Sequence, residues 1–159
     1  IAWALGRIPA GATTGAIISG LDCLPTFCSL AGIEPPAGVE LDGRDISAVL
    51  TAGAPTPHDE LLLFNNEDIV GIRTQRWKYI THSYYRGLTL DFERRGYPQL
   101  YDMSRAEPES YSVAETYPDV TRDMQDRVQR GREAFAPFKR GVPPFILEMI
   151  RKGQQRFQD

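Results

Sequence analysis

The chain has 159 residues, a formal charge of −3, 42% hydrophobic and 25% charged residues, and a mean hydropathy of −0.35. That is enough chain for a real core at an ordinary soluble composition. The slight acidity excludes nucleic acid as the default partner, and no apolar run approaches the roughly 20 residues of a membrane span.

In chain order, "IAWAL" reads as a short apolar strand ended by Gly6, Pro9 and Gly11. It lacks the charged start and long apolar centre of a signal peptide. With no initiating Met, it reads as a piece of something longer. A helix follows in "SGLDCLPTFCSLAG", where Leu21, Leu24, Phe27, Cys28 and Leu30 or Ala31 recur at i, i+3, i+4 and i+7. Asp22 can cap its start, Pro25 fits its first turn and Gly32 stops it. Cys23 and Cys28 lie about 140° apart around such a helix, which suits neither a disulfide nor a metal pair. They read as two buried thiols. "IEPPAGVELDGRDISAVLTAG" gives a loop, a turn at Asp42-Gly43 and a short helix capped by Asp45; "APTPHD" is a linker.

An antiparallel part comes next. "ELLLF", "IVGIRT" and "WKYITH" are β-rich, with an Asn-Asn-Glu-Asp turn after the first and a Gln75-Arg76 hairpin after the second. Trp77, Tyr79 and Thr81 share one face of the third strand, and Lys78, Ile80 and His82 the other. "YPQLYDM" is a fourth strand. "YPDVTRDMQDRVQRGREAF" is a helix with Pro118 in its first turn and Val120, Met124 and Val128 on one stripe. After Gly141 and two prolines, "PFILEMIRKGQQRF" makes a second amphipathic helix. The predicted fold class is α+β: a small antiparallel sheet of about four strands packed with helices, preceded by a strand-helix segment and followed by two C-terminal helices.

The insertion "HSYYRGLTLDFERRGY" is too long for a turn and carries Tyr84, Tyr85, Arg86, Arg94 and Arg95. Polar loops with aromatics on a rigid sheet are where binding residues concentrate, and a solvated hairpin with packing tyrosines is the equal alternative. His82, at a strand end beside it, is the better candidate of the two histidines, although for one His without partners a structural role weighs more. His58, in a Pro-rich linker, reads as solvated. Arg73, Trp77 and Tyr79 read as sheet packing, with Arg73 salt-bridged. The acidic residues are scattered over caps and turns, so no cation site is foreseen, and no Ser-His-Asp grouping, phosphate loop or zinc spacing is present.

Five blocks in order, "GRIPAG", "LDCLPTFCSLAGIEPP", "LDGRDISAVL", "IRTQRWKYI" and "QLYDM…EPESYSVAETYPDV", together resemble the C-terminal portion of type I sulfatases, the arylsulfatase group of the alkaline-phosphatase superfamily. The resemblance covers residues 1 to 120. Leu5 stands where the family has Pro, and Ser112 where it has Asn. Phosphonate monoester hydrolases end similarly and are the alternative parent. The resemblance implies three regions: 1–57 closing the family's α/β domain, 58–120 an antiparallel-sheet subdomain, and 121–159 a helical tail.

In this family a formylglycine, made from Cys in Cys-x-Pro-x-Arg, works with a calcium ion to hydrolyse sulfate esters. Both are expected of the intact enzyme and neither of this chain. "CLPTF" matches only Cys-x-Pro, with Phe27 in the place of Arg, so Cys23 is rejected as the nucleophile. The resemblance implies a module that supports a catalytic domain, is inactive alone, and borders the substrate pocket through His82, Tyr84, Tyr85, Arg86 and Arg94. The expected partner is an upstream catalytic domain or a second copy of the chain. The alternative is a free-standing dimeric binding protein, its "IAWAL" edge strand and the apolar stripe of Ile146, Leu147, Ile150 and Phe157 joining two protomers.

Overall fold

The computed structural model describes residues 2, 4–85, 88–106, 109–141, 143, 145, 146 and 148. Among the described residues, helices α1 (Cys23–Ala31), α2 (Ser47–Ala52) and α3 (Pro118–Phe135) flank six strands. These are β1 (Leu61–Asn65), β2 (Asp68–Arg73), β3 (Trp77–Ile80), β4 (His82–Tyr85), β5 (Leu88–Asp91) and β6 (Gln99–Asp102). A four-stranded antiparallel sheet runs β1-β2-β3-β6, and β4 and β5 pair separately as a hairpin. The α+β reading and its four-stranded sheet hold.

The register explains the core. Leu62 faces Ile72, Ile72 faces Tyr79, and Tyr79 faces Leu100, so one row of large side chains crosses the whole sheet. Ile72, Tyr79 and Leu100 are fully buried, as are Met124 and Val128 of α3. Each such burial stabilises by about 1.5–3 kcal/mol. Val120, Met124 and Val128 recur at i, i+4 and i+8, which keeps one stripe of α3 on the sheet. Gly131 lets the helix come close, because a Cβ there would lie 2.9 Å from both Leu62 methyls. Helix α3 belongs to the sheet's own core, and the expected boundary after residue 120 falls inside it. Beyond β6, Ser112 donates to the Pro98 carbonyl at 2.8 Å and accepts from the Leu100 amide at 3.2 Å, so this departure from the family pattern lies along the outer edge of β6.

Several expectations need correction. Ala2 and Ala4 are not in a strand, and the Ala4 carbonyl instead closes a turn with the amides of Arg7 and Ile8. Ile1 and Trp3 lie outside the described residues, as does most of the expected last helix, including Leu147, Ile150 and Phe157. Most of the α1 stripe faces outward: Leu21, Leu24 and Phe27 are exposed, whereas Cys28 of the same stripe is buried as expected, together with Thr26 and Asp22. Cys23 is exposed rather than buried. Ser19, not Asp22, caps the 3₁₀ turn that leads into α1, and Asp22 closes the capping box from its third position. Gly32 ends α1 in the left-handed conformation, as expected. Arg73 donates to the carbonyls of Thr74, Gln75 and Trp77 and makes no salt bridge among the described residues. It is a turn clip.

Candidate functional site

The insertion is built rather than loose. Strands β4 and β5 pair through His82 with Asp91, Ser83 with Leu90 and Tyr84 with Thr89. The hairpin is bolted to the sheet by polar contacts. His82 Nε2 lies 3.3 Å from Asp91 Oδ2, and its Nδ1 lies 2.8 Å from the hydroxyl of Thr81. An ionised carboxylate only accepts, so Nε2 carries a proton; in the neutral ring Nδ1 then accepts from Thr81. The amide of Arg94 donates to Asp91 Oδ1 at 2.9 Å. This bond first, and then the His82 ring, hold the Asp91 carboxyl below its ordinary range despite partial desolvation. Just beyond β5, Glu93 accepts from the Tyr79 hydroxyl at 3.0 Å and from Arg132 of α3 at 3.2 Å. Burial pushes the Tyr79 phenol far up, so it remains a donor.

Of the expected site residues, the structure brings three onto this hairpin and its flank. His82 is partly covered, and Tyr84 is 40% exposed with its ring stacked on His82 at a centroid distance of 6.5 Å. Arg94 is exposed on the turn after β5. Arg86 lies outside the described residues, as does the side chain of Tyr85.

Hydroxyl, imidazole and carboxylate in sequence have the order of a hydrolytic triad. The geometry does not allow that chemistry, because Thr81 is fully buried and no substrate carbon can reach its oxygen. The group is a mount for the hairpin.

A second polar centre was not foreseen. His58, read as solvated, has only 7% of its side chain exposed, and its Nε2 lies 2.9 Å from both oxygens of the fully buried Asp22. The same carboxylate accepts from the amides of Ser19 at 2.7 Å and Arg44 at 2.8 Å. Burial alone would raise the Asp22 carboxyl, but the Arg44 and Ser19 amides and the His58 ring outweigh it and leave the group below its usual value. Gly43 is required here, since a Cβ would overlap the Leu21 carbonyl. Thirty-six residues separate Asp22 from His58, and nothing local in the sequence links a helix-start Asp to a His in a Pro-rich linker.

A shallow groove runs between the β2–β3 turn and α3, lined by Gln75, Arg76, Trp77, Asp123 and Arg127. Its cations are engaged: Arg76 holds Asp102 at 2.9 Å and lies 4.5 Å over the Trp77 ring, and Arg127 holds Glu60 and Asp123. Among the described residues, no three His, Cys, Asp or Glu converge as a metal site, so the calcium implied by the resemblance finds no fitting ligand set among them. No described helix is long and apolar enough to cross a membrane.

No protein-family model matches the chain. It is 30% identical to Homo sapiens arylsulfatase A over 140 residues, which cover 76% of this chain and 27% of that protein. It is 36% identical to Homo sapiens arylsulfatase G over 85 residues, 48% of this chain and 16% of that protein. In fold it is similar to a solved Bacteroides thetaiotaomicron protein described under the metabolism of multiple glycosaminoglycans. There the TM-score is 0.51 at 21% identity, over 70% of this chain and 24% of the other. The chain thus spans 16% and 27% of the length of these two curated relatives. By sequence, this chain is a relative of the sulfatases and corresponds to a C-terminal portion of them.

Proposed function

We propose that the chain is a supporting module of a sulfuric ester hydrolase: it docks on a catalytic domain through α1, borders that domain's pocket with the β4–β5 hairpin, and hydrolyses nothing alone. The observation that carries this reading is the apolar face of Leu21, Leu24 and Phe27, which are 61%, 46% and 65% exposed. Ile18 and Ile33 extend it. An apolar stripe that a free-standing helix would turn inward is presented outward, as at an interface. The curated relatives that the chain matches are several times longer, and the remainder of such a chain is the partner proposed for this face.

The hairpin has the second half of the role. Tyr84 offers a ring face and Arg94 a planar cation suited to a sulfate or other anionic group. Their mount passes through His82, Asp91, the Arg94 backbone amide and Glu93, and the Arg94 guanidinium adds its charge near Asp91.

The test is complementation. The chain alone, given an aryl sulfate, a phosphonate monoester and calcium after co-expression with a formylglycine-generating enzyme, should show background turnover. Co-expressed with an arylsulfatase A lacking the matching stretch, it should co-purify at one-to-one stoichiometry and restore sulfate-ester hydrolysis. Turnover by the chain alone that vanishes in Cys23→Ala would overturn the reading. A stable dimer indifferent to the catalytic portion would instead support the free-standing binding protein.

A further inference from the structure

The buried side chains of the described residues fall into two groups. Ile69, Ile72, Tyr79, Leu100, Val113, Ala114, Met124 and Val128 form one connected cluster in the sheet and α3. Ile17, Cys28, Ile46 and Val49, the buried apolar residues of the N-terminal part, lie outside it. The hydrogen bonds that join the two parts are therefore informative.

One comes from the tip of the β2–β3 turn. Gln75 accepts from the Ile17 amide through Oε1 at 3.1 Å and donates through Nε2 to the Gly15 carbonyl at 2.9 Å. A single side chain thus reproduces the paired bonds of a neighbouring strand. The opposite grip comes from the linker before β1. Thr56 donates to the Ile17 carbonyl at 2.6 Å and accepts from the His58 amide at 3.2 Å, and the His58 ring then closes on Asp22. Asp22 in turn binds the amides of Ser19 and Arg44, which fixes the 3₁₀ turn and the loop into α2.

We infer that Gln75, His58 and Asp22 form a polar clasp that seats the N-terminal helical part on the sheet, and that the part opens as a unit when the clasp is broken while the sheet and α3 stay folded. Hydrogen bonds at such a seam are directional, so losing one frees an orientation; an apolar seam would slide and re-form. Gln75 and His58 are positioning residues: they fix where the α1 face stands relative to the β4–β5 hairpin. Only this consequence for a pocket rests on the function proposed above; the clasp rests on its own contacts.

Native-state hydrogen exchange on the full chain tests it, using Gln75→Ala, Gln75→Glu and His58→Gln. Gln75→Ala should speed exchange at the amides of α1 and α2 at least tenfold and leave β2, β3, β6 and α3 unchanged. Gln75→Glu keeps the acceptor for Ile17 and loses the donor to Gly15, so it should fall between wild type and Gln75→Ala. His58→Gln retains a donor toward Asp22 and stays folded, with a smaller acceleration confined to the same amides. Equal acceleration in both parts would overturn the proposal by showing one cooperative unit, and so would no change in α1 and α2. No ester or catalytic partner enters the measurement, so a failed complementation with this exchange pattern intact would sink the proposed function and leave the clasp standing.

Discussion

Across the sheet, Leu62, Ile72, Tyr79 and Leu100 stand in one row and α3 lays Met124 and Val128 on it. In the N-terminal part, the most deeply buried groups are a carboxylate, Asp22, and a hydroxyl, Thr26, while Leu21, Leu24 and Phe27 point outward. The first arrangement is held by apolar burial, which is non-directional and tolerant of small shifts. The second is held by hydrogen bonds to a buried charge, which are strong only while each partner stays in place. The contrast teaches how one chain can keep a self-sufficient base and still present an apolar helix face.

The same chemical change should cost very different amounts in the two parts. Leu100→Ala removes a fully buried side chain from the sheet's central row and should destabilise by about 2–5 kcal/mol. Leu24→Ala removes the same atoms from a half-exposed site and should stay within about ±0.5 kcal/mol. Urea unfolding followed by Trp77 fluorescence, in a Trp3→Phe background, reads the loss in the sheet, and amide exchange of α1 under the same conditions reads the loss in the N-terminal part. Similar losses would mean that the α1 face is covered within the chain itself.

How much of this was legible in the sequence follows from what each signal encodes. The strands of the sheet, the Pro118 start of α3 and the Gly32 stop of α1 depend on neighbours within a few residues, and they read correctly. The stripe on α1 was found, but periodicity says which residues share a face and not whether that face meets the chain's own interior. "IAWAL" was read from composition alone, without a partner strand to satisfy its backbone. For the β4–β5 hairpin a binding loop and a solvated hairpin both stayed open, because "HSYY" and "LTLD" lack an uninterrupted apolar alternation. The pairing of Asp22 with His58 and of Gln75 with residues 15 and 17 is set by tertiary closure, to which local pattern is blind.

Acid separates the two parts more gently. The Asp22 carboxyl titrates below its ordinary 3.8 in the folded chain, so its contribution is fully present above that value and is lost as pH falls through the lower, folded one. Asp102 lies in the sheet, and the Arg76 guanidinium, with Ser104, holds it far lower still. On acidification below pH 4, the amide signals of α1 and α2 should therefore broaden or shift before those of β3 and β6. Between pH 4 and 7 neither should move on account of these groups. Asp22→Asn should loosen the N-terminal part already at pH 7, by about 1–3 kcal/mol for a buried network left partly unsatisfied, and should abolish its acid step. A single coincident transition in both parts would break the comparison.

The smallest stability effect belongs to the hairpin, and it separates a mount from what the mount carries. Arg94 contributes its backbone amide to Asp91, a contact that Arg94→Ala leaves intact. Tyr84 stacks on His82 from an exposed position, and the His82 contacts to Asp91 and Thr81 do not pass through it. Arg94→Ala and Tyr84→Ala should therefore each change unfolding by no more than about 0.5 kcal/mol. Their consequence should appear in the restored hydrolase instead. If Arg94 meets an anionic group beyond the scissile ester, its loss removes a charge-assisted contact, and kcat/KM for a multiply charged sulfate ester should fall about tenfold relative to a simple aryl sulfate, equivalent to about 1.4 kcal/mol. Tyr84→Ala should shift the same ratio less, because a ring face discriminates shape more weakly than a guanidinium discriminates charge. Added salt should narrow the Arg94 difference and leave the Tyr84 difference in place. Ratios unchanged in both variants, with stability also unchanged, would make the hairpin a solvated ornament on the sheet.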